Sequence, residues 1–265
     1  MTESEYKIIN VDSSNVDDYD LLCVKSKKSS EGYQNKLKWF KERVKEGMKF
    51  KLLLVNEGTR GFRSRGMIEY IPGEYTWRGV DAIGYMVIHC IWVVGKNKKK
   101  GYGSKLLEEC YKDSKGMNGV VVVTSKKGHW LPNPKLFIKH DFKKIETVQE
   151  RFDLYVKRFN ENAPFPKFYP INSEKGKDYG PGLTIFKTDQ CPYTPGAVSA
   201  AIAFAKKHNI QHKVISITSK EEAQRSGFHP YGTYCVLFNG GYISYCFQNE
   251  KGFLKLLNEK GIKLE

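Results

Sequence analysis

Residues 161–182 read ENAPFPKFYPINSEKGKDYGPG, and Pro164, Pro166 and Pro170 fall within seven positions of one another. Proline can neither continue a helix nor donate to the ladder of a central strand. The stretch therefore reads as a linker over residues 161–181, with one patterned half at 1–160 and another at 182–265. With 265 residues in all, each half has enough chain for a core of its own.

The first half opens on a polar helical region, DDYDLLCVKS, followed by YQNKLKWFKERVKEG. In the latter, Leu37, Phe40 and Val44 recur at helical spacing and Gly47 supplies a stop. Strand patterns follow in FKLLLVN, RGMIEYIP and GYMVIHCIWVV, the last apolar enough for a central strand. Then come a lysine- and glycine-rich segment, the helix SKLLEECYKD, the strand GVVVVTS, the helix PKLFIKHD and one long strand, FKKIETVQERFDLYV. The second half reads as strand, helix, strand, short helix SKEEAQRSG, a hairpin TYCVLFNGGYISYCF and a final helix. The order predicts an α/β (α+β) layer fold followed by a smaller βαβ–ββα unit.

The chain carries a net charge of +15, which raises the question of a polyanionic partner. The excess is uneven: 31 Lys/Arg stand against 20 Asp/Glu in residues 1–160, and 13 against 9 in 161–265. There is no zinc-finger spacing, no aromatic RNA-platform motif and no helix with a basic reading face, so nucleic acid is not the expected partner. The longest small-apolar run, AVSAAIAFA, falls far short of the roughly 20 residues that span a bilayer, so no membrane partner is expected. The N-terminus MTESEYKIIN has no apolar leader core. Six cysteines without zinc-pair spacing predict a cytoplasmic chain with reduced thiols and no metal.

The densest lysine cluster lies in KNKKKGYGSKLLEEC, Lys96 to Cys110, between an apolar strand and a helix. Glycines at 101 and 103 let the backbone turn tightly and approach a ligand with no Cβ in the way. The first N–H groups of the helix then face an anion, and Lys96, Lys98, Lys99 and Lys100 add charge around it. The pattern Lys98-x-x-Gly101-x-Gly103 resembles the [QR]-x-x-G-x-[GA] signature of the GCN5-related N-acetyltransferases (GNAT), with lysine in place of Gln or Arg. The resemblance extends over about Val11 to Arg158. RGMIEYIPGEYTWRGVDAIGYMVIHCIWV is similar to a bacterial branch of that family in which a YoaP-like domain follows.

The resemblance implies a GNAT acyl-CoA N-acyltransferase fold and acetyl-CoA as co-substrate. The strand would splay just after Trp92, and the backbone of Val93 and Val94 would pair with the pantetheine arm. Amides across Lys99, Lys100, Gly101, Tyr102, Gly103 and Ser104 would hold the pyrophosphate, while Ser125 and Asn133 line the far side. The family transfers acetyl directly to an amine in a ternary complex, often with a tyrosine as proton donor. Phe137 stands at that position and has no proton to give; Asp141 likewise replaces a usual glycine. A base could come from Glu69, Glu74 or His89, with Tyr85 a further catalytic candidate and Tyr70, Tyr75, Trp77 and Tyr85 a possible acceptor pocket. His89 alternates with Val87 and Ile91 and so shares their face, which puts Cys90 on the other one. The acceptor is an amine-bearing small molecule, peptide or protein.

In the second half, Cys191-Pro-Tyr-Thr194 sits at a strand–helix junction, where a helix N-terminus can activate a thiol. The region resembles a thioredoxin-like fold with a one-cysteine, glutaredoxin-style motif. Thr233 stands where that fold carries a cis-proline, and Thr194 removes the resolving thiol. Cys235 and Cys246 would face each other if Gly240 and Gly241 form the hairpin turn. Two alternatives stay open beside the transferase: a non-catalytic acyl-CoA-binding protein, and a thiol-redox protein using Cys191.

Overall fold

The structure, a computed structural model, describes residues 5–126, 130–225 and 228–264. The first half runs β1 (Tyr6–Val11), α1 (Glu31–Lys45), β2 (Lys49–Asn56), β3 (Phe62–Pro72), β4 (Val80–Asp81) and β5 (Met86–Val93). It continues through α2 (Tyr102–Asp113), β6 (Gly119–Ser125), α3 (Lys135–Lys139), β7 (Lys143–Val148) and β8 (Phe152–Arg158). Seven of these strands form one sheet in the order β1-β2-β3-β5-β6-β8-β7. Every pairing in it is antiparallel except β5 with β6, where α2 makes the crossover.

β9 (Lys167–Phe168) lies in the proline-rich passage and pairs with β4 as a separate two-stranded ribbon. Then follow β10 (Leu183–Lys187), α4 (Thr194–Lys207), β11 (His212–Ser216), α5 (Lys220–Arg225), β12 (Tyr234–Phe238), β13 (Gly241–Ser244) and α6 (Glu250–Glu259). The second sheet has the order β11-β10-β12-β13, with β10 parallel to β11 and antiparallel to β12. Ser226 and Gly227, the end of the expected SKEEAQRSG helix, lie outside the described residues.

Several expectations change. DDYDLLCVKS does not form a helix: it is a series of turns ending in a short 3-10 segment, with Leu22 and Val24 at φ 59° and 57°. A left-handed Val is a genuine outlier; Leu21 and Leu22 are drawn under α1, where both are buried. FKKIETVQERFDLYV is a hairpin, not one strand, because Gln149 and Glu150 adopt φ 50° and 53° and reverse the chain between β7 and β8. In the last hairpin the turn falls at Asn239-Gly240, both left-handed. Cys235 and Cys246 consequently pack in different apolar clusters.

The two sheets share core. Val87, Val121 and Leu154 of the large sheet belong to the same buried cluster as Ile185, Tyr234 and Val236 of the small one. Close backbone approaches join the halves where glycine stands: a Cβ on Gly32 would lie 2.1 Å from the Pro192 carbonyl oxygen, and one on Gly232 would lie 1.9 Å from that of Trp77.

Candidate active site

The chemistry converges on a defect in β5. Its register against β3 pairs Tyr70 with Ile88 and Glu69 with Cys90, leaving His89 as an extra residue. β5 and β6 stay paired only over Met86–Ile88 and Val120–Val122, so the strands separate from the bulge onward rather than after Trp92. A bulge breaks strict alternation. Val87 accordingly packs in one cluster and Ile91 in another, and His89 and Cys90 line the same cavity instead of opposite faces.

That cavity, about 670 Å³, opens between the splayed strand and the second half. Its walls include Lys36, Glu69, Arg78, His89, Cys90, Trp92 and Lys98 from the first half and Gln190, Cys191, Tyr193 and Tyr231 from the second. Glu69 is 1% exposed. It accepts from Lys36 Nζ in a short ion pair and from Gln190 Nε2 at 3.1 Å. His89 Nε2 accepts from the Trp77 N–H at 3.2 Å, which leaves the proton of a neutral ring on Nδ1, 3.6 Å from Glu69 Oε1. Burial pushes the Glu69 carboxyl up, but the Lys36 ammonium and the His89 imidazole outweigh it, so the group is held below the usual carboxylate range. Burial lowers His89 to about 4, with Arg78 reinforcing the shift and Glu69 opposing it. Near neutrality the site therefore holds a carboxylate against an ammonium, beside a neutral imidazole.

Arg78 ties this group to the second half. Its Nη1 donates to Gln190 Oε1 at 3.0 Å, Tyr231 O at 2.7 Å and Thr233 Oγ1 at 2.8 Å, and its Nη2 donates to His89 O at 2.6 Å. The bulge carbonyl, freed from the ladder, thus finds its partner in a guanidinium that also grips Gln190 and Thr233. Lys36, Arg78, Gln190 and Tyr231 were not singled out in the sequence. Lys36 lies on the face of α1 opposite a carboxylate 33 residues away, and no local pattern marks such a pair.

Also on the cavity wall, the exposed Lys98 leads into the glycine loop. Lys99 and Gly101 take φ 63° and 80°, and Gly101 is the N-cap of α2 with open space around it. Among the described residues, the backbone N–H groups of Lys99, Lys100, Gly101, Tyr102 and Gly103 have no protein acceptor. They form an unused row of donors at a helix N-terminus. Gly103 packs against α3, where a Cβ would meet Leu136 at 3.2 Å. The Tyr102 hydroxyl donates to Glu5 at 2.9 Å, and Ser104 Oγ lies 2.7 Å from His140 Nε2. Val94 N–H donates to Arg65 O at 2.9 Å, toward β3. Alternation then turns the Val93 peptide groups to the open edge and withdraws Val94 from it.

The remaining candidates are dispersed. Asn133 lines the cavity while its Oδ1 caps α3 through Lys135 N–H at 3.0 Å. Ser125 is buried and bonded to Tyr245, outside the cavity lining. Phe137 is 0% exposed and packs edge-on to Phe142. Tyr85 is buried with its hydroxyl on Pro164 O at 2.9 Å, Tyr70 donates to Asp113 at 2.8 Å, and Glu74 accepts from the Gly84 N–H at 2.8 Å. None of these three lines the cavity, nor do Tyr75 and Trp77. The aromatic side of the cavity is Trp92, Trp130, Tyr193 and Tyr231 instead. Among the described residues no cluster of three His, Cys, Asp or Glu side chains is arranged to hold a metal, and no helix is long and apolar enough to cross a membrane.

No family model matches the chain. It is 31% identical to the uncharacterized N-acetyltransferase YoaP of Bacillus subtilis (strain 168) over 255 residues, 94% of this chain and 98% of that protein. Among solved structures, it is similar to an acetyltransferase from Thermus thermophilus, at TM-score 0.42 and 14% identity over 60% of this chain and 100% of the other. It is also similar to the Campylobacter jejuni N-acetyltransferase PseH in complex with acetyl coenzyme A, at TM-score 0.39 and 16% identity over 58% and 99% of the two chains.

Proposed function

Because the chain belongs to the GNAT family of N-acetyltransferases, we propose that it moves the acetyl group of acetyl-CoA directly to an amine held in the cavity. The observation that carries this reading is the row of unused N–H donors at residues 99–103, joined through Lys98 to a cavity whose walls include Glu69. The amides of residues 99–103 take the pyrophosphate, with Lys98, Lys99 and Lys100 supplying charge. The Val93 peptide pairs with the pantetheine arm along the open edge of β5. This brings the thioester toward the bulge at His89 and Cys90, below the second half.

There the amine attacks the thioester carbonyl, the C–S bond breaks, and the proton lost by the amine ends on the CoA thiol. Glu69 is ionised but weakly basic, so it orients the incoming amine and passes on its proton rather than deprotonating a free ammonium. Lys36 and Gln190 hold Glu69 in place, while His89, with Nε2 committed to Trp77, aims Nδ1 at it from 3.6 Å, too far for a hydrogen bond. Tyr85 has no part in this reading, since its hydroxyl is spent on Pro164. The domain limits we assign are 1–160 for the transferase, 161–181 for the linker and 182–265 for a YoaP-like, thioredoxin-like unit. Support for that unit comes from the βαβ–ββα order and the β11-β10-β12-β13 sheet. Its role here is to roof the acceptor site, which favours a small acceptor over a folded protein.

The test is a thermal-shift titration with acetyl-CoA, followed by mass spectrometry of an amine panel incubated with enzyme and acetyl-CoA. Stabilisation with acetylated product supports transfer. Stabilisation with no product on any amine supports the second reading, acyl-CoA binding without transfer, which the buried Phe137 at the donor position favours. Absence of stabilisation rejects both.

A further inference from the structure

Three of the free cysteines reach the cavity from distant elements: Cys23 from the turns before α1, Cys90 from β5 beyond the bulge, and Cys191 from the junction before α4. Thr194 leaves the CPYT segment without a second thiol in sequence, but space supplies one. Cys90 and Cys191 are both partly exposed, whereas Cys23 is buried. Cys90 stands opposite Glu69 in the β3–β5 register, and Gln190, the neighbour of Cys191, donates to Glu69 Oε1 at 3.1 Å, so the two thiols enter the cavity beside the same carboxylate.

We propose that Cys191 and Cys90 form a dithiol site for small anionic disulfides, with Cys191 attacking and Cys90 resolving. A cavity of about 670 Å³ admits a small molecule rather than a protein loop. Lys36 offsets Glu69 in their ion pair and Arg78 is committed to buried acceptors, so among the described residues the exposed charge on the wall is Lys98, which favours a disulfide bearing carboxylates. The order of attack follows from the surroundings. Burial raises both thiols, and Glu69, Lys36 and Arg78 act on both in the same sense; what sets Cys191 apart is the Tyr193 N–H, which opposes its rise, whereas Cys90 has no such donor and reaches about 12. Cys191 therefore ionises first, and the thiolate is the nucleophile in exchange.

In the first step the Cys191 thiolate attacks one sulfur of the disulfide R–S–S–R, forming Cys191–S–S–R and releasing one thiolate. The Cys90 thiolate then attacks the Cys191 sulfur, forming the Cys90–Cys191 disulfide and releasing the second. The two protons from the protein thiols go to the two departing thiolates. The protein loses two electrons, and the small disulfide is reduced to two thiols. The new bond ties β5 to the second half across the acceptor space. On the transferase reading above, acetyl transfer stops until a thiol reductant restores the pair.

The probe is oxidised glutathione, added to the reduced full-length chain, with maleimide trapping and peptide mass mapping. We expect a peptide containing Cys90 joined to one containing Cys191. With Cys90→Ala, a stable glutathione adduct on Cys191 should accumulate; with Cys191→Ser, reaction at Cys90 should slow by about tenfold or more. Cystamine, a cationic disulfide, should react several-fold more slowly than oxidised glutathione. The proposal is overturned by a wild-type protein that forms no such link, by a Cys23–Cys191 link, by Cys191→Ser reacting at the wild-type rate, or by cystamine matching glutathione. Cys90→Ser serves as a second resolving-thiol variant, with its fold checked by circular dichroism. These readouts need no acetyl transfer, so they fail independently of the transferase reading. Cross-linked protein that still acetylates would overturn only the blocking of transfer.

Discussion

The glycine loop and the Glu69 cluster face one cavity and work on opposite principles. The loop is exposed over residues 98–101, offers main-chain N–H groups, and lies within residues 98–104. The cluster is buried, acts through side chains, and draws on residues from α1, β3, β5 and two segments of the second half. In the loop, charge is solvated and each lysine contributes little. In the cluster, every charge is desolvated, so each depends on its partner. The loop should therefore tolerate substitution one residue at a time, and the cluster should not.

The sharpest way to break that contrast is Lys36→Met. It strands the Glu69 carboxylate, and denaturant unfolding should show a loss of about 3–5 kcal/mol. The double variant Lys36→Met with Glu69→Leu should recover most of it. A single-variant loss below about 1 kcal/mol would place the pair in the same class as the surface lysines.

Acid should separate the two regions next. His89 and His229 have folded values lowered by burial to about 4 and about 3, from an ordinary 6.5. Between those limits the unfolded chain binds more protons, so the stability present above pH 6.5 is lost as pH falls through the window. His89 alone accounts for about 3 kcal/mol, at about 1.4 kcal/mol per unit. Glu69 adds a further loss below about pH 4.5, because its folded value is depressed. Unfolding curves from pH 7 to 4 should show this decline, and His229→Gln should flatten it.

Gly32→Ala probes how the halves meet. A Cβ 2.1 Å from the Pro192 carbonyl forces α1 and the CPYT segment apart, at about 1–3 kcal/mol. Acetyl transfer should fall more than CoA affinity does. The smallest effect belongs to the loop. Lys99→Ala with Lys100→Ala should weaken CoA binding by about three- to tenfold at low salt and less at 0.5 M salt, as expected of screened charges.

How much of this was legible follows the same division. The strand–glycine–helix pattern of residues 91–107 was readable because its parts are adjacent, and a Gly101 at φ 80° is a local requirement. Glu69 and His89 were picked out as titratable groups near the expected thioester, but their partners were not. The bulge escaped because GYMVIHCIWVV is apolar almost throughout, with no alternation whose break could mark His89 as the unpaired residue. The β7–β8 turn at Gln149-Glu150 escaped for a related reason: neither residue is a usual left-handed turn former.

By itself the sequence determined most of the order of elements and the strand–glycine–helix segment of residues 91–107, since propensity, turn chemistry and backbone freedom act over a few neighbouring residues. Only the tertiary structure decided which charges are paired and which thiols share a cavity. Lys36, Glu69, Arg78, Gln190, Cys90 and Cys191 are brought together by packing between distant segments, and the energy of a buried charge depends on what packing places beside it.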